Sequence, residues 1–306
     1  MKIAHINNTS GIASVIAKEQ KKHGHEVDVF VFNKIIHSQF GGIMINYISP
    51  FARWNLFKKL KEYEVWHYHY PYGSLKRSLE KRNKDKVYLK HYHGGDLRGR
   101  YDNDFCLVST PDLLQYSPNG KWLPTPIDIA EINERIYSSL QRNDGTLEDG
   151  KQIRIAHYPY YENFTSTDYH SKTLQELVRE KKCELIEILR LPHVQALKAV
   201  NSCDIVIGKI LPGVGWFGKF ELEGMALCKP VIAYVSDKLY EEYKPPIYRT
   251  TKESFKHDLE KLLEDTSERQ RLGKEGSDYV RKFHSVESVT KIVQESYKHR
   301  GRLTVK

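Results

Sequence analysis

Short apolar segments alternate with amphipathic ones along this chain, and this alternation restricts its possible folds more than any other feature. At the start, "KIAHI" has the apolar character of a strand and "NNTSG" is rich in turn residues. "IASVIAKEQKKHG" then spaces its apolar positions along one face of a helix, and "EVDVFVF" is a β-branched strand. Strands that alternate with helices predict an α/β fold built on parallel, doubly wound sheets with helices on both faces.

A proline-containing segment, "WLPTPID" at residues 122–128, interrupts the alternation, which restarts at "QIRIAHY". A length of 306 residues also suits about two domains. We therefore predict a Rossmann-like domain over residues 1–126 and a second one over residues 127–306, which ends in helices from about residue 251. The two domains are expected to face each other across a cleft.

The excess of basic residues indicates which classes of molecule the protein is expected to bind. The chain has 48 basic and 39 acidic residues, a net charge of +9 that favours nucleotides, phosphates, acidic lipids or nucleic acid. We find no zinc finger, stacking motif or basic arm, so we predict no nucleic-acid partner. The four cysteines form no C-x-x-C pair, which suits a reducing compartment. The N-terminus lacks the apolar core of a signal peptide, and we predict a cytoplasmic protein.

Three loops are candidates for ligand binding, because open α/β sheets bind ligands at the carboxyl ends of their strands. They are the loop that ends at Gly11, the stretch "HYHGGD" at residues 91–96, and the glycine-rich loop "KILPGVGWFGKFELEG". Gly11 precedes a helix, so backbone N–H groups there could hold a phosphate, although a tight turn explains this glycine equally well. Glu221 and Glu223 offer carboxylates to sugar hydroxyls, but residues two apart point to different faces of a helix.

The segment "GWFGKFELEGMALCKPVIAYV" resembles the nucleotide-binding motif of the GT-B glycosyltransferases, specifically the large retaining group known as family 4. The residues that fill the family's pattern are Phe217, Gly218, Leu222, Glu223, Met225, Ala226, Pro230, Val231 and Ile232. "WLPTPID", "PHVQALKAVNSCDIVI", the opening strand–loop–helix and the C-terminal helices also resemble segments of that family. The resemblance therefore covers almost the whole chain.

The resemblance implies a hexosyltransferase-like enzyme that moves a sugar from a UDP- or GDP-linked donor to an acceptor with retention, and that needs no metal or other cofactor. By the same resemblance, Glu223 would bind the ribose hydroxyls and Gly11 would approach the donor phosphates. His93 would be the catalytic residue that contacts the donor sugar near the reacting centre. The other residues predicted to bind the donor are Lys209, Gly218, Lys219 and Glu221.

Two positions depart from the family's pattern. Gly215 stands where the family has the first glutamate of its paired-glutamate signature, and Thr165 lies near the position of an expected lysine. Lys209 or Lys219 could supply the missing positive charge to a diphosphate. The departures leave open an alternative function, a catalytically degenerate GT-B protein that acts as a binding or scaffold subunit.

Two histidine pairs leave a second alternative open. Residues two apart on a strand share a face, so His67 with His69, and His91 with His93, could each offer two imidazoles to a metal. A metal hydrolase needs further ligands, and only Asp96 is near in sequence. We therefore predict no metal. His67, His69, Asp96 and Arg98 are instead predicted to lie on the acceptor side, where the acceptor is a glycan, a lipid-linked molecule or a small molecule.

The segment "FARWNLFKKLKEYE" combines aromatic and basic residues in one predicted helix. A helix of this composition can lie on an anionic membrane, and we predict peripheral membrane contact as a possible property of the protein. The alternative is that this helix simply packs on its own sheet.

Overall fold

The computed structural model describes residues 1–31, 40–45, 49–70, 83, 85–137, 152–159 and 167–304. The chain divides into two compact units, which are Met1–Pro126 together with His284–Lys306, and Ile127–Phe283. The division after residue 126 coincides with the predicted boundary. The residues from His284 onward, which the sequence analysis assigns to the second domain, group with the first unit.

The first unit is built on a parallel sheet whose strand order is β3-β2-β1-β4-β5-β6-β7. The direction of winding reverses between β1 and β4, and ligands of doubly wound folds bind at such switch points. The strands are β1 (Lys2–Ile6), β2 (Glu26–Val31), β3 (Ile43–Met44), β4 (Val65–His69), β5 (Val87–Tyr92), β6 (Leu107–Val108) and β7 (Lys121–Trp122).

Alternation along the central strands gives each face of this sheet its own core. Ile3, Val65 and Leu89 lie in the core on the face covered by helix α1 (Ile12–Lys22). Trp66 and its neighbours pack on the opposite face, together with residues of helix α2 (Pro50–Leu60). The period of two therefore places every second residue of β1, β4 and β5 on the α1 face.

The second unit has a parallel sheet of order β12-β11-β10-β8-β9, with its switch point between β8 and β10. Its strands are β8 (Arg154–His157), β9 (Glu184–Glu187), β10 (Ile205–Ile207), β11 (Val231–Ala233) and β12 (Tyr248–Arg249). Its helices are α3 (Ile129–Tyr137), α4 (Thr167–Arg179), α5 (His193–Asn201), α6 (Lys219–Ala226), α7 (Asp237–Tyr243), α8 (Phe255–Glu264) and α9 (Thr266–Phe283). Ile155, Ile205, Ile232 and Phe255 are central to its core.

The last helix, α10 (Val286–Thr304), covers the first sheet. It packs on α1 and β5, and its residues Val289, Val293 and Tyr297 are buried against Ile3 and Leu89. The α1 face of the first sheet is thus closed by a segment that is remote in sequence.

Two doubly wound parallel sheets confirm the predicted α/β fold class. None of the helices in the described part of the chain combines the length and the apolar character that a membrane crossing requires.

Candidate functional site

The glycine-rich loop follows the carboxyl end of β10 and ends where α6 begins. Gly215 adopts a φ of +71°, and its carbonyl oxygen accepts the N–H of Ser236 at 3.1 Å. The rings of Trp216 and Phe217 are buried, with centroids 4.4 Å apart. These contacts hold the loop on the body of the second unit, so α6 starts at a defined position beside the switch point.

Glu221 fixes both ends of this loop. Its Oε1 accepts the backbone N–H of Lys209 at 2.8 Å, and its Oε2 accepts that of Gly218 at 2.9 Å. The side chain is fully buried. Both oxygens of the carboxylate are therefore engaged by backbone groups, which is the arrangement of a residue that positions a loop.

Glu223 lies on a different face of the same helix, as the two-residue spacing predicts. Its Oε1 accepts the Nε2–H of His193 at 2.7 Å and lies 3.3 Å from Nζ of Lys219. Burial opposes ionisation, but the positive charge of Lys219 and the bond from His193 outweigh it and lower the pKa of the Glu223 carboxyl below its usual value. No donor among the described residues contacts Oε2. Glu223 is thus an ionised hydrogen-bond acceptor.

Two lysines lie beside the start of α6. Nζ of Lys209 is 2.6 Å from the point where a Cβ atom on Gly218 would stand, so the glycine provides the space for this ammonium group. Lys219 occupies the first position of the helix. Two cations next to a helix N-terminus favour an anionic ligand such as a phosphate.

Gly11 lies at the N-cap of α1, beside Phe40. It precedes α1 with a φ of +76°, and a Cβ atom there would come within 2.7 Å of the Phe40 ring. The structure therefore explains this glycine by its left-handed backbone and by the close approach of Phe40. Its predicted contact with donor phosphates remains a prediction.

Five histidines form a cluster at the carboxyl edge of the first sheet, at its switch point. His5 lies near the carboxyl end of β1, and His67 and His69 lie on β4. His91 lies on β5, and His93 follows just after that strand. The first four are buried and His93 is partly buried.

Hydrogen bonds connect the cluster. His5 Nδ1 lies 2.9 Å from His69 Nε2, and His69 Nδ1 lies 3.2 Å from His93 Nε2. The hydroxyl of Ser109 contacts both His91 Nε2, at 2.9 Å, and His93 Nδ1, at 2.8 Å. Four imidazoles and one hydroxyl therefore make one continuous chain of polar contacts.

Burial keeps the four fully buried histidines of this cluster uncharged. Desolvation lowers the pKa of His5 to about 4. It also lowers the pKa of His67, His69 and His91 well below the usual value, and neighbouring imidazoles add to the effect. These rings are neutral at pH 7.

His5 is not among the predicted site residues, because the predicted histidine pairs each lie along a single stretch of chain. The pairing of β1 with β4 sets His5 beside His67, and that of β4 with β5 sets His69 beside His91. His5 has the same strand-end position as the other histidines, and this was the available signal.

Neither protein-family profiles nor curated proteins match the chain. Solved structures do match it over nearly its full length. The Anabaena protein HepE, crystallised with UDP-glucose, shares 12% identity, with 98% of this chain and 100% of that chain covered and a TM-score of 0.63. A glycosyltransferase from Rickettsia africae shares 13% identity, with 98% of each chain covered and a TM-score of 0.58. A UDP-forming α,α-trehalose-phosphate synthase from Burkholderia xenovorans shares 10% identity, with coverages of 100% and 99% and a TM-score of 0.56.

These neighbours are glycosyltransferases of the GT-B class, and at such low identity their similarity establishes the fold. The chain has a GT-B fold. Its glycine-rich loop and Glu223 follow the switch-point strand of the second sheet, and the histidine cluster ends the switch-point strands of the first sheet. Thr165, at one of the two departures from the family's pattern, lies outside the described residues.

The residues predicted on the acceptor side occupy two kinds of environment in this GT-B protein. His67 and His69 are fully buried within the cluster. Asp96 is buried and accepts the backbone N–H groups of His93 and Gly94, at 2.9 and 2.7 Å. Burial raises the pKa of the Asp96 carboxyl against the effect of those bonds. None of the three side chains exposes enough surface to meet an acceptor directly.

Arg98 completes the turn that follows His93. Its Nε donates to Oδ2 of Asp112 at 2.8 Å, and its guanidinium lies against Gly94. Arg98 thus pairs with Asp112 rather than with Asp96, and it is partly exposed.

Helix α2 has a buried side and a side that exposes aromatic rings. Leu56 and Leu60 are buried against the first sheet. Phe51 and Trp54 are 70% and 58% exposed, with ring centroids 6.3 Å apart, and Nζ of Lys58 lies 5.7 Å from the Trp54 ring. The helix therefore packs on its sheet and also presents aromatic rings beside a lysine to the solvent.

Proposed function

We propose that this protein is a glycosyltransferase that moves a hexosyl group from a nucleotide-sugar donor to an acceptor with retention at the anomeric carbon. The proposal rests chiefly on Glu223, an ionised carboxylate at the start of α6, after the switch-point strand of a GT-B fold. The hydroxyl groups of a ribose can donate hydrogen bonds to such a carboxylate. HepE, which has the same fold, binds UDP-glucose, so we propose a UDP-linked donor.

The diphosphate of the donor would lie at the N-terminus of α6. Lys209 and Lys219 are close to that terminus, and Gly218 leaves room for the first of them. These cations and the backbone N–H groups of the first turn of α6 would stabilise the charge that develops on the leaving diphosphate. This chemistry does not need a metal ion at the donor site.

We further propose that His93 takes part in the transfer. It is the most exposed member of the histidine cluster, and Asp96 holds the backbone of its turn. Because His67 and His69 are buried, we assign them to the positioning of His93 rather than to acceptor contact. Both carboxylate oxygens of Glu221 accept backbone N–H groups, so we assign Glu221 to the positioning of the glycine-rich loop and not to contact with the nucleotide sugar.

A donor panel tests the proposal. Purified protein would be incubated with UDP-, GDP- and ADP-linked hexoses, and release of the nucleoside diphosphate would be followed with and without candidate acceptors. We expect turnover of a UDP-hexose, and His93→Ala should lower it at least about tenfold while UDP affinity is unchanged.

The alternative function, a scaffold that has lost donor binding, is motivated by Gly215. At that position a glutamate would have to adopt a φ of +71°, close to Ser236. If no nucleotide binds and no donor is consumed, the scaffold function replaces the enzymatic one.

We also propose peripheral contact with anionic membranes through α2. Phe51 and Trp54 would enter the interface, and Lys58 would meet acidic headgroups. Vesicle flotation should show binding that needs anionic lipid and that Trp54→Ser weakens several-fold. Tyr101→Ser is the control, because Tyr101 is an aromatic residue of similar exposure, 76%, elsewhere on the surface. Equal effects of the two variants would contradict the proposal.

A further inference from the structure

His69, His91 and His93 each place one ring nitrogen within 4.8 Å of the others, at the carboxyl ends of β4 and β5. We propose that these three histidines bind a divalent first-row transition-metal ion, with Zn²⁺ as the foremost candidate. The proposed glycosyl transfer does not require this ion, and an ion held by His93 Nε2 would compete with the part that His93 plays in the transfer. It would link the ends of two neighbouring strands.

The spacing of the ring nitrogens suits a tetrahedral ion. His69 Nδ1 and His93 Nε2 are 3.2 Å apart. Nitrogen ligands at roughly 2.0–2.1 Å from a tetrahedral zinc ion lie about 3.3 Å from each other. An ion could therefore replace the weak contact between these two rings with very little movement.

His91 supplies an unused ligand atom. Its ring is almost fully buried, and nothing within the described residues donates to or accepts from its Nδ1. Buried polar atoms normally have a partner, and coordination to a metal would provide one.

The nitrogens on the far sides of these rings are already held. Ser109 Oγ contacts His91 Nε2 and His93 Nδ1, while His5 Nδ1 contacts His69 Nε2. Metal-binding histidines generally donate their second N–H to a partner in this way, which fixes the ring and its tautomer.

Gln20 sets the direction of the hydrogen bonds. Its Oε1 can only accept, so His5 Nε2, 2.8 Å away, carries the proton. His5 Nδ1 must then accept the Nε2–H of His69. This leaves a lone pair on His69 Nδ1, on the side that faces His93.

The type of ligand atom determines which metal ions suit this site. Three neutral imidazoles suit Zn²⁺, Co²⁺, Ni²⁺ or Cu²⁺, whereas Mg²⁺ and Ca²⁺ prefer oxygen ligands. His93 is partly exposed, and water could take the fourth coordination position from that side.

A second group, His5 with His67 and His69, also brings its nitrogens within 4.8 Å. All three residues are completely buried. His5 Nδ1 and His69 Nε2 are only 2.9 Å apart, in the hydrogen bond that Gln20 directs. A charged ion there would have no open side, so we assign the site to the outer group.

Cobalt binding tests the proposal. The full chain, without an affinity tag and stripped of metal, would be titrated with Co²⁺ and followed by visible absorption. We expect one ion per chain, with the intense bands of four-coordinate Co²⁺, and displacement of that ion by Zn²⁺. His91→Asn should abolish these bands, and Ser109→Ala should weaken Co²⁺ affinity by about 10- to 100-fold.

A control variant tests whether the bands come from this site. The double variant His23→Gln/His25→Gln removes two imidazoles near Gln294, away from the cluster, and should leave the bands intact.

The proposal is overturned if no four-coordinate absorption develops, if it survives His91→Asn in a folded protein, or if a control variant removes it. Circular dichroism establishes folding. If His91→Asn does not fold, the Co²⁺ affinity of Ser109→Ala decides, because that variant retains all three ligands. UDP binding is measured separately, so failure of the metal site and failure of the proposed enzyme are distinguishable.

Discussion

At Gly218 the absent side chain leaves the space that the ammonium group of Lys209 occupies, 2.6 Å from where a Cβ atom would be. A few residues away, Gly215 has a positive φ that disfavours any residue with a side chain. The two glycines therefore have different roles. The first admits a cation to the start of α6, and the second allows the loop a left-handed backbone conformation.

Gly218→Ala should move Lys209 away from the start of α6. We expect affinity for UDP to fall several-fold and affinity for uridine to stay the same, because only the diphosphate would meet the lysine. Isothermal titration with both ligands measures this difference. Gly213→Ala is the matched control, since a Cβ atom there meets nothing within 4 Å. An equal loss for UDP and uridine would disprove the assignment of Lys209 to the diphosphate.

Within the second unit, helix α9 lies very close to neighbouring segments at two of its glycines. A Cβ atom on Gly273 would overlap the carbonyl oxygen of Cys228, and one on Gly276 would come within 3.1 Å of Met225. The backbone of α9 can approach its neighbours only because these side chains are absent.

Gly273→Ala should therefore destabilise the protein by about 1–3 kcal/mol, although alanine favours helices more than glycine does. Gly301→Ala in α10 is the control, because the nearest atom to its Cβ, on Val87, is at 3.6 Å. That substitution should be neutral or stabilise by up to about 1 kcal/mol. Urea unfolding of both variants measures the effects, and similar values would contradict this account of α9.

The sequence predicted most of the long elements, because their periodicity is local. β4, β5, β8 and α1 all lie where the apolar patterns place them. The two-residue strands β7 and β12 were missed, since such short segments have no periodicity. The sequence also predicts a helix at "LKRSLEKRNK", residues 75–84, but this segment lies almost entirely outside the described residues.

The candidate site was only partly predictable, because it depends on strand order. Glu223 could be proposed from one continuous motif. The full histidine cluster could not, because His5 joins His67 only through the pairing of β1 with β4. The spacing of apolar residues along α10 predicts a helix with one buried face, but it does not indicate which sheet that face covers. The packing of α10 on the first unit therefore could not be predicted from the sequence.

At the scale of the whole molecule, the seven histidines that are buried within the described part of the chain make stability depend on pH. They are His5, His67, His69, His91, His157, His170 and His284. Desolvation lowers the pKa of each one, to about 4 for His5, His157, His170 and His284.

Between about pH 6.5 and pH 4, the unfolded chain binds protons that the folded chain does not, so the free energy of unfolding falls as the pH falls. Above about pH 7.5 these groups no longer affect the free energy of unfolding, because neither the folded nor the unfolded chain binds protons on them. Each contributes at most about 1.4 kcal/mol per pH unit, and together we expect a loss of several kcal/mol between about pH 7 and pH 5.5. Urea midpoints that do not change over this interval would show that the histidines are not buried as described.

The most direct test of the central claim, that Glu223 belongs to a UDP-sugar site, is calorimetric titration of UDP into the wild type, Glu223→Gln and Glu241→Gln. Glu241 is an exposed glutamate of the same unit and serves as the control. We predict that UDP binds the wild type and the control equally. Glu223→Gln should bind it about 10- to 100-fold more weakly, consistent with the loss of a hydrogen bond to a charged group worth about 1.5–3 kcal/mol. Failure of the wild type to bind UDP, or equal binding by the Glu223 variant, would contradict the proposed function.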